Sequence, residues 1–380
     1  MGLRVQLPKV LCLCGLCIMS TLHAEDLDVW LGTSSNRASK GIYHCSLDAL
    51  AGSLSPSRLV AKIRGPGFLA MHPNRSHLYA VGTLEPNTPS VVCYQISGSG
   101  AQAKLTMVNS VEIGDGGAAH VSVDRTGQTL LTAQYGGGSV AAYALAKDGS
   151  IIGQTQLIKH EGGARIVGNR QDAPHAHWTG FSPDNRFAFV PDLGLDEVVI
   201  YRVDVSTAKL TPHGRGKVPP GGGPRHMKFH PNGKWIYVLN ELALSISVFD
   251  YNADQGSMSI KQTIPTVSSE QLAKEKFKSC SEIRVHPNGK FVYAANRGHD
   301  SITVFGVNAA GKLTVIENES IRGATPRNFN LDPSAKWLLA GGQDSHTLAS
   351  FEVDESTGEI TYNRSIISTP APICVLFGPE

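Results

Sequence analysis

One segment keeps returning along this chain, and a chain that repeats itself roughly every fifty residues has few folds open to it. It reads FHPNGKWIYVLNE from Phe229, VHPNGKFVYAANR from Val285 and LDPSAKWLLAGGQ from Leu331. Weaker copies are FSPDNRFAFVPD from Phe181, VDRTGQTLLTAQY from Val123 and MHPNRSHLYAVGT from Met71. Each copy is an apolar strand, a polar turn, and a second strand rich in aromatic and β-branched residues, which is a hairpin pattern. A third alternating strand follows, such as SISVFDY from Ser245 or SITVFGV from Ser301, and then a fourth, such as SIKQTI from Ser259 or LTVIE from Leu313.

The turn anchors fall at Pro73, Arg125, Pro183, Pro231, Pro287 and Pro333, with a seventh at Pro379, giving spacings of 52, 58, 48, 56, 46 and 46 residues. Those lengths suit four-stranded propeller blades. The seventh copy stops after its first strand, ICVLFGP. Its three missing strands are at the other end of the chain, as DVWLGT from Asp28, GIYHCSL from Gly41 and RLVAKI from Arg58. The expected fold is therefore all-β: one seven-bladed β-propeller of four-stranded antiparallel blades over residues 25–380. Its last blade is made from both termini, so the ring has no free sheet edge. A chain of 380 residues would otherwise suggest two or three domains. The 40 Gly, 21 Pro and 17% charged residues fit the all-β reading.

Residues 1–24 read as a cleaved signal peptide: Arg4 and Lys9 are basic, residues 10–21 are apolar but short for a bilayer span, and Ala24 is a small residue at the cleavage point. The alternative is an uncleaved anchor. No lipobox precedes Cys17. The mature chain is thus expected to be exported, periplasmic or extracellular, and free of the membrane. A net charge of +2 without a run of Lys or Arg argues against a nucleic-acid partner. Cys45, Cys93, Cys280 and Cys374 are widely scattered without metal-ligand spacing and read as small buried hydrophobes.

If the strands of each blade are named a to d from the inside outwards, the start of a and the end of b share one face of the disc beside the central channel. Six residues before each anchor stand Gly67, Ala119, His177, Arg225, Ser281, Arg327 and Ile373. One residue later come Phe68, His120, Trp178, His226, Glu282, Asn328 and Cys374. Ten after the anchor come Thr83, Tyr135, Leu193, Glu241, Arg297 and Gln343, with Thr33 assigned to the split blade. Three arginines, three histidines and two carboxylates thus gather at one end, mostly from blades two to six. Like charges around a channel repel unless an anion or carboxylate compensates. Guanidinium forks bind carboxylate or phosphate, and His or Glu can move a proton. At the other end, His72, His230 and His286 recur as part of the turn and read as structural. Asp192 and Asn240 share a position where capping the following loop and a role in the site are both open. His175 and His177, in PHAH, have strand spacing and share a face, but two ligands are too few for a metal. No GxSxG elbow or HExxH motif is present, and neither metal nor cofactor is expected.

The strings DAPHAHW (172–178), GPRHMKFHPNGKWIYVLNE (223–241), VHPNGKFVYAANR and TPRNFNLDPSAKWLLAGGQDS (325–345) resemble the seven-bladed β-propeller lactonase family. That family includes propeller-type 6-phosphogluconolactonases and carboxymuconate-lactonizing enzymes. The resemblance covers essentially all of the chain after residue 24 and implies a metal-independent site built on His177, Arg225, Arg297 and Glu241. The chain departs from relatives in having Ala118-Ala119 before His120, and in carrying an export signal although 6-phosphogluconolactone is cytosolic. The expected activity is hydrolysis of a small anionic or sugar-derived lactone, with Glu241 or His177 activating water. Arg225, Arg297 and Arg327 bind the anionic group and polarise the carbonyl, while His120, His175, His226, Glu282 and Gln343 bind or position the substrate. The alternatives are the lactonizing direction and a non-catalytic binding propeller.

Overall fold

The computed structural model describes residues 1–2, 26–35 and 38–378. The expected signal peptide, apart from Met1 and Gly2, and the Pro379 anchor lie outside the described residues. Among those described, the strands form seven four-stranded antiparallel sheets. Blade four shows the pattern: Pro224–Phe229, Trp235–Asn240, Ser245–Asn252 and Ser257–Pro265 pair in sequence order from the channel outwards. Blade seven is the expected composite. Its inner strand Pro372–Phe377 pairs with Leu27–Thr33, which continues into Gly41–Leu47 and Arg58–Lys62. The ring is closed by that pairing, with Val29 opposite Phe377 and Leu31 opposite Val375.

The repeated turn is built by its side chains. The third residue after the His of HPN adopts a left-handed backbone in every described copy, as Gly127, Gly233 and Gly289 with φ of 69–73° and as Arg75, Asn185 and Ala335 with φ of 58–61°. His230 accepts from Asn232 N through Nδ1 and donates through Nε2 to the carbonyl of Gly289 in the next blade, at 2.8 Å. His72 does the same towards Gly127, at 3.2 Å. The structural reading of His72 and His230 therefore holds: each joins its own turn to the neighbouring blade. The aromatic of the second strand adds another stitch. The buried hydroxyls of Tyr237 and Tyr293 donate to Gly311 O and Gly358 O, at 3.2 and 3.0 Å, in the outer turns of the following blades.

Between adjacent sheets lie the apolar cores. Tyr237, Leu239 and Val248 of blade four, for example, meet Cys280, Ile283 and Phe305 of blade five. Cys45, Cys93, Cys280 and Cys374 are buried and unpaired, and burial pushes each thiol up to about 12. They pack as the small apolar groups the sequence implied.

The Gly289→Ala variant should be destabilised by about 1–2 kcal/mol, the cost of a left-handed non-glycine residue. A Cβ built there also comes within 2.7 Å of the His230 ring. Urea denaturation checks this: an unchanged midpoint would mean that the stitch is dispensable.

Candidate active site at the channel mouth

The start of strand a lies beside the end of strand b, as the register implies, and one recurring backbone hydrogen bond holds them there. Glu241 N donates to Gly223 O at 2.7 Å, Leu193 N to His175 O, Gln343 N to Thr325 O and Ser34 N to Ala371 O. The last of these corrects one assignment. A bulge between Gly32 and Thr33 shifts the split blade, so Ser34, not Thr33, shares the register of Glu241.

Two layers of side chains line the channel from this end. The outer layer is divided. Blades one, two and seven offer Gly67, Ala119 and Ile373, whereas blades three, four and six offer His177, Arg225 and Arg327. Together they enclose a recess of about 150 Å³ with one apolar wall and one basic wall. Beside it, a wider pocket of about 410 Å³ is lined by Phe277, Arg297, Thr325, Arg327, Gln343 and Asp344.

Glu241 is the charge centre of the outer layer, only 5% exposed. Its Oε1 accepts from Arg170 Nη2 at 2.7 Å. Its Oε2 lies 3.2 Å from Arg297 Nη2, 3.3 Å from Arg225 Nε and 3.9 Å from His177 Nε2. Burial alone would raise this carboxyl, but Arg297, Arg225 and Arg170 outweigh it and hold Glu241 at about 2. His177 is pushed well below the usual imidazole range, first by burial and then by Arg225, His226 and Arg327. It is therefore neutral, and its Nε2 accepts from Arg225 Nη1 at 2.7 Å. Arg297 is fixed from behind by Cys280 O, at 2.8 Å from Nη2. Arg327, between the two pockets, makes no side-chain hydrogen bond or salt bridge among the described residues.

The second layer is a polar plug one residue deeper. Glu282, fully buried, accepts from His226 Nδ1 at 3.1 Å, from Arg284 Nη1 at 3.2 Å and from Asn328 Nδ2, and Lys228 Nζ stands 3.9 Å away. Burial would raise this carboxyl, but Arg284, His226 and Lys228 leave it well below its usual range. His120 packs against Phe68, Trp178 and His226, with ring centroids 4.1–5.6 Å away. Burial pushes His226 down to about 4, and its Nε2, without a hydrogen-bond partner, belongs to a ring that lines the recess.

Of the ten residues selected from sequence, His177, Arg225, Arg297, Glu241 and Arg327 meet at the mouth, and His226 borders the recess from below. His120 and Glu282 belong to the deeper plug. Gln343 lines only the outer pocket, its Nε2 donating to Asp344 Oδ1. His175 stacks on Tyr135 with centroids 4.4 Å apart, while His177 meets the same ring edge-on at 5.2 Å. Their shared face is thus towards Tyr135. Asp192 caps the following loop through Gly194 N and Leu195 N, and Asn240 binds Ser245 and Ser247, so both positions are structural. Two contributors escaped the sequence reading. Arg170 sits in a connection without repeats, and Tyr135, though in register with Glu241, looked ordinary. Among the described residues no group of three or more His, Cys, Asp or Glu is arranged to hold a metal.

Residues 28–377 match the family model described as Lactonase, 7-bladed beta-propeller. The chain belongs to this family. It is 35% identical over 349 residues to a 6-phosphogluconolactonase of Bacillus subtilis, covering 92% of this chain and 97% of that protein. Among solved structures it is similar to a protein from Lactobacillus plantarum (TM-score 0.86, 28% identity), with 93% of this chain and 100% of that one covered. It is equally similar in shape to a periplasmic gluconolactonase of Pseudomonas aeruginosa (TM-score 0.86, 25% identity), with 93% and 99% covered. A propeller lactonase of this kind is a lactone hydrolase, and the mouth described above is where its basic and acidic groups converge.

The buried histidines make the stability of this lactonase depend on pH. His226 takes up a proton near 6.5 when unfolded but only near 4 when folded, so the unfolded state binds more protons between those values and stability falls as pH drops from 6.5 to 4. Urea midpoints measured across that window should slope less in His226→Gln than in the wild type. Parallel slopes would show that His226 does not carry the effect.

Proposed function

We propose that this protein hydrolyses an aldonic lactone bearing an anionic substituent, with the 6-phosphate of glucono-δ-lactone as the first substrate to test. One observation carries the reading: three arginines (Arg170, Arg225 and Arg297) converge on the carboxylate of Glu241, and a fourth, Arg327, lines both pockets without a side-chain hydrogen bond or salt bridge among the described residues. A mouth so short of negative charge is completed by an anionic ligand, and guanidinium forks match phosphate or carboxylate. The name of the Bacillus subtilis relative supports the same class.

Glu241 is the group to accept the proton of the attacking water, because it stays ionised while the Nε2 lone pair of His177 is occupied by Arg225. Water adds to the lactone carbonyl as its proton passes to Glu241. Arg225 faces the oxyanion that forms, a stabilisation worth more in a dry recess than in water. The tetrahedral intermediate collapses by breaking the ring C–O bond, and the departing alkoxide takes the proton back from Glu241. Lactone plus water becomes hydroxy acid, and the carboxylate is restored. Arg297 and Arg327 hold the substituent.

The protein should accelerate acid release from glucono-δ-lactone 6-phosphate, with glucono-δ-lactone and carboxymuconolactone run beside it. Glu241→Gln and Arg225→Ala should each lower kcat/KM at least a hundredfold, since removing one donor to an oxyanion costs about that much. Hydrolysis no faster than buffer on all three lactones would overturn the proposal, and near-normal rates in both variants would move the chemistry elsewhere.

Export is part of the same proposal. Arg4 and Lys9 followed by the apolar run and Ala24 support it, as does the periplasmic description of the Pseudomonas aeruginosa relative. The protein recovered from its native cells should begin after residue 24 by mass spectrometry. An N-terminus at Met1 would exclude cleavage.

A further inference from the structure

Residues 160–179, between blades two and three, form the longest described connection between blades, and they deliver Arg170 to the mouth. The loop is closed at its neck by one carboxylate: His160 Nδ1 donates to Asp192 Oδ2 at 2.7 Å, and His175 N donates to Asp192 Oδ1 at 2.7 Å. A second tie sits next to Arg170. Gln171, fully buried, donates through Nε2 to Leu193 O and to Asp196 Oδ1, at 2.9 and 2.5 Å. Asp196 in turn accepts from Gly221 N and Gly223 N, two residues before Arg225. The backbone carrying Arg170 is therefore tied to the scaffold of the site through Gln171 and Asp196.

That side chain differs from the other cations on Glu241. Arg225 and Arg297 approach Oε2 from inside the protein, buried and tied to His177 and Cys280 O. Arg170 approaches Oε1 from the solvent side, 38% exposed, and its other hydrogen bond is to Tyr135 OH at 3.2 Å. Among the described residues it is the one hydrogen-bonded partner of Oε1.

We infer that Arg170 is an exchangeable substrate-binding arm: paired with Glu241 Oε1, it transfers to the anionic substituent of the incoming lactone and so frees Oε1 to receive the proton of water. This rests on the lactone reading above and adds a residue and a sequence of events to it. The exchange replaces a carboxylate partner by a phosphate of equal or greater charge, so Arg170 gives up little by moving. Glu241 meanwhile loses one cation and gains an anion nearby, and both changes make it a stronger base. The other groups around it, His177, Arg225, Arg297, Arg327 and Tyr135, stay in place.

Two measurements test the arm. Titration calorimetry with 6-phosphogluconate and with gluconate reads binding without turnover. The wild type should prefer the phosphorylated acid at least tenfold, Arg170→Ala should lose most of that preference, and Arg170→Lys should keep part of it. Steady-state rates should show the same collapse in the ratio of kcat/KM between glucono-δ-lactone 6-phosphate and glucono-δ-lactone, expressed chiefly in KM. A merely structural role would depress both ligands equally and leave the ratio intact, and that result would overturn the inference. So would a wild type that binds the two acids alike. If the wild type hydrolyses no lactone, the functional reading fails, while the calorimetric ratio still decides whether Arg170 holds a phosphate.

Discussion

Seven sheets make a ring only if the first and last strands of the chain find each other, and the pairing of Val29–Gly32 with Cys374–Phe377 is the contact on which the rest depends. Once it forms, the inner strands of all seven blades face a common channel. Side chains far apart in sequence, such as His177 and Arg327, are then brought to one rim with no further design. Closure covers the faces of the terminal blades, but contrary to the expectation from sequence it leaves sheet edges, because each four-stranded blade keeps a short inner and a short outer edge strand. Asp28 ties the joint to its neighbours, accepting from Gly100 N in blade one and from His44 within the split blade.

Bringing those side chains together has an electrostatic cost, and the two channel layers meet it differently. In the inner layer the carboxylate of Glu282 is satisfied by His226, Arg284 and Asn328, although Nε2 of His226 keeps no hydrogen-bond partner among the described residues. In the outer layer the carboxylate of Glu241 meets three arginines, Arg327 stands by without a salt bridge among the described residues, and the histidine among them is kept neutral. Removing one member of such a buried group leaves an uncompensated charge, typically at a cost of about 3–5 kcal/mol. The outer layer thus differs from the plug in leaving one of its cations, Arg327, without a salt bridge among the described residues.

The propeller, its seven blades and its split closure were legible in the sequence because the repeat records contacts every blade must make. The charged core of the mouth was legible too, since His177, Arg225, Glu241, Arg297 and Arg327 occupy matching positions. The depth of each position was not. His120, His226 and Glu282 lie one residue from the mouth layer along their strands, and fractional exposure does not separate the layers, since His120 and His177 are both 5% exposed. Arg170 was out of reach for another reason. Its loop has no counterpart in other blades, and its position depends on ties to Asp192 and Asp196 that no spacing announces. Ser34 was misplaced by one because a bulge breaks the even count of the strand.

The two ends of each hairpin explain why one repeats and the other does not. At the turn end the side chains are the architecture: the imidazoles of His72 and His230 join blade to blade, so the letters return with each copy. At the channel end the joining is done by backbone, through the amides of Leu193, Glu241 and Gln343 on carbonyls two residues ahead of the mouth position. A main-chain hydrogen bond makes no demand on the side chain it carries. Glu241, Gln343 and Leu193 therefore hold the same backbone place with an acid, an amide and an aliphatic group. Chemistry can vary there without loosening the ring, and in this chain the variation is where a carboxylate and its arginines have collected.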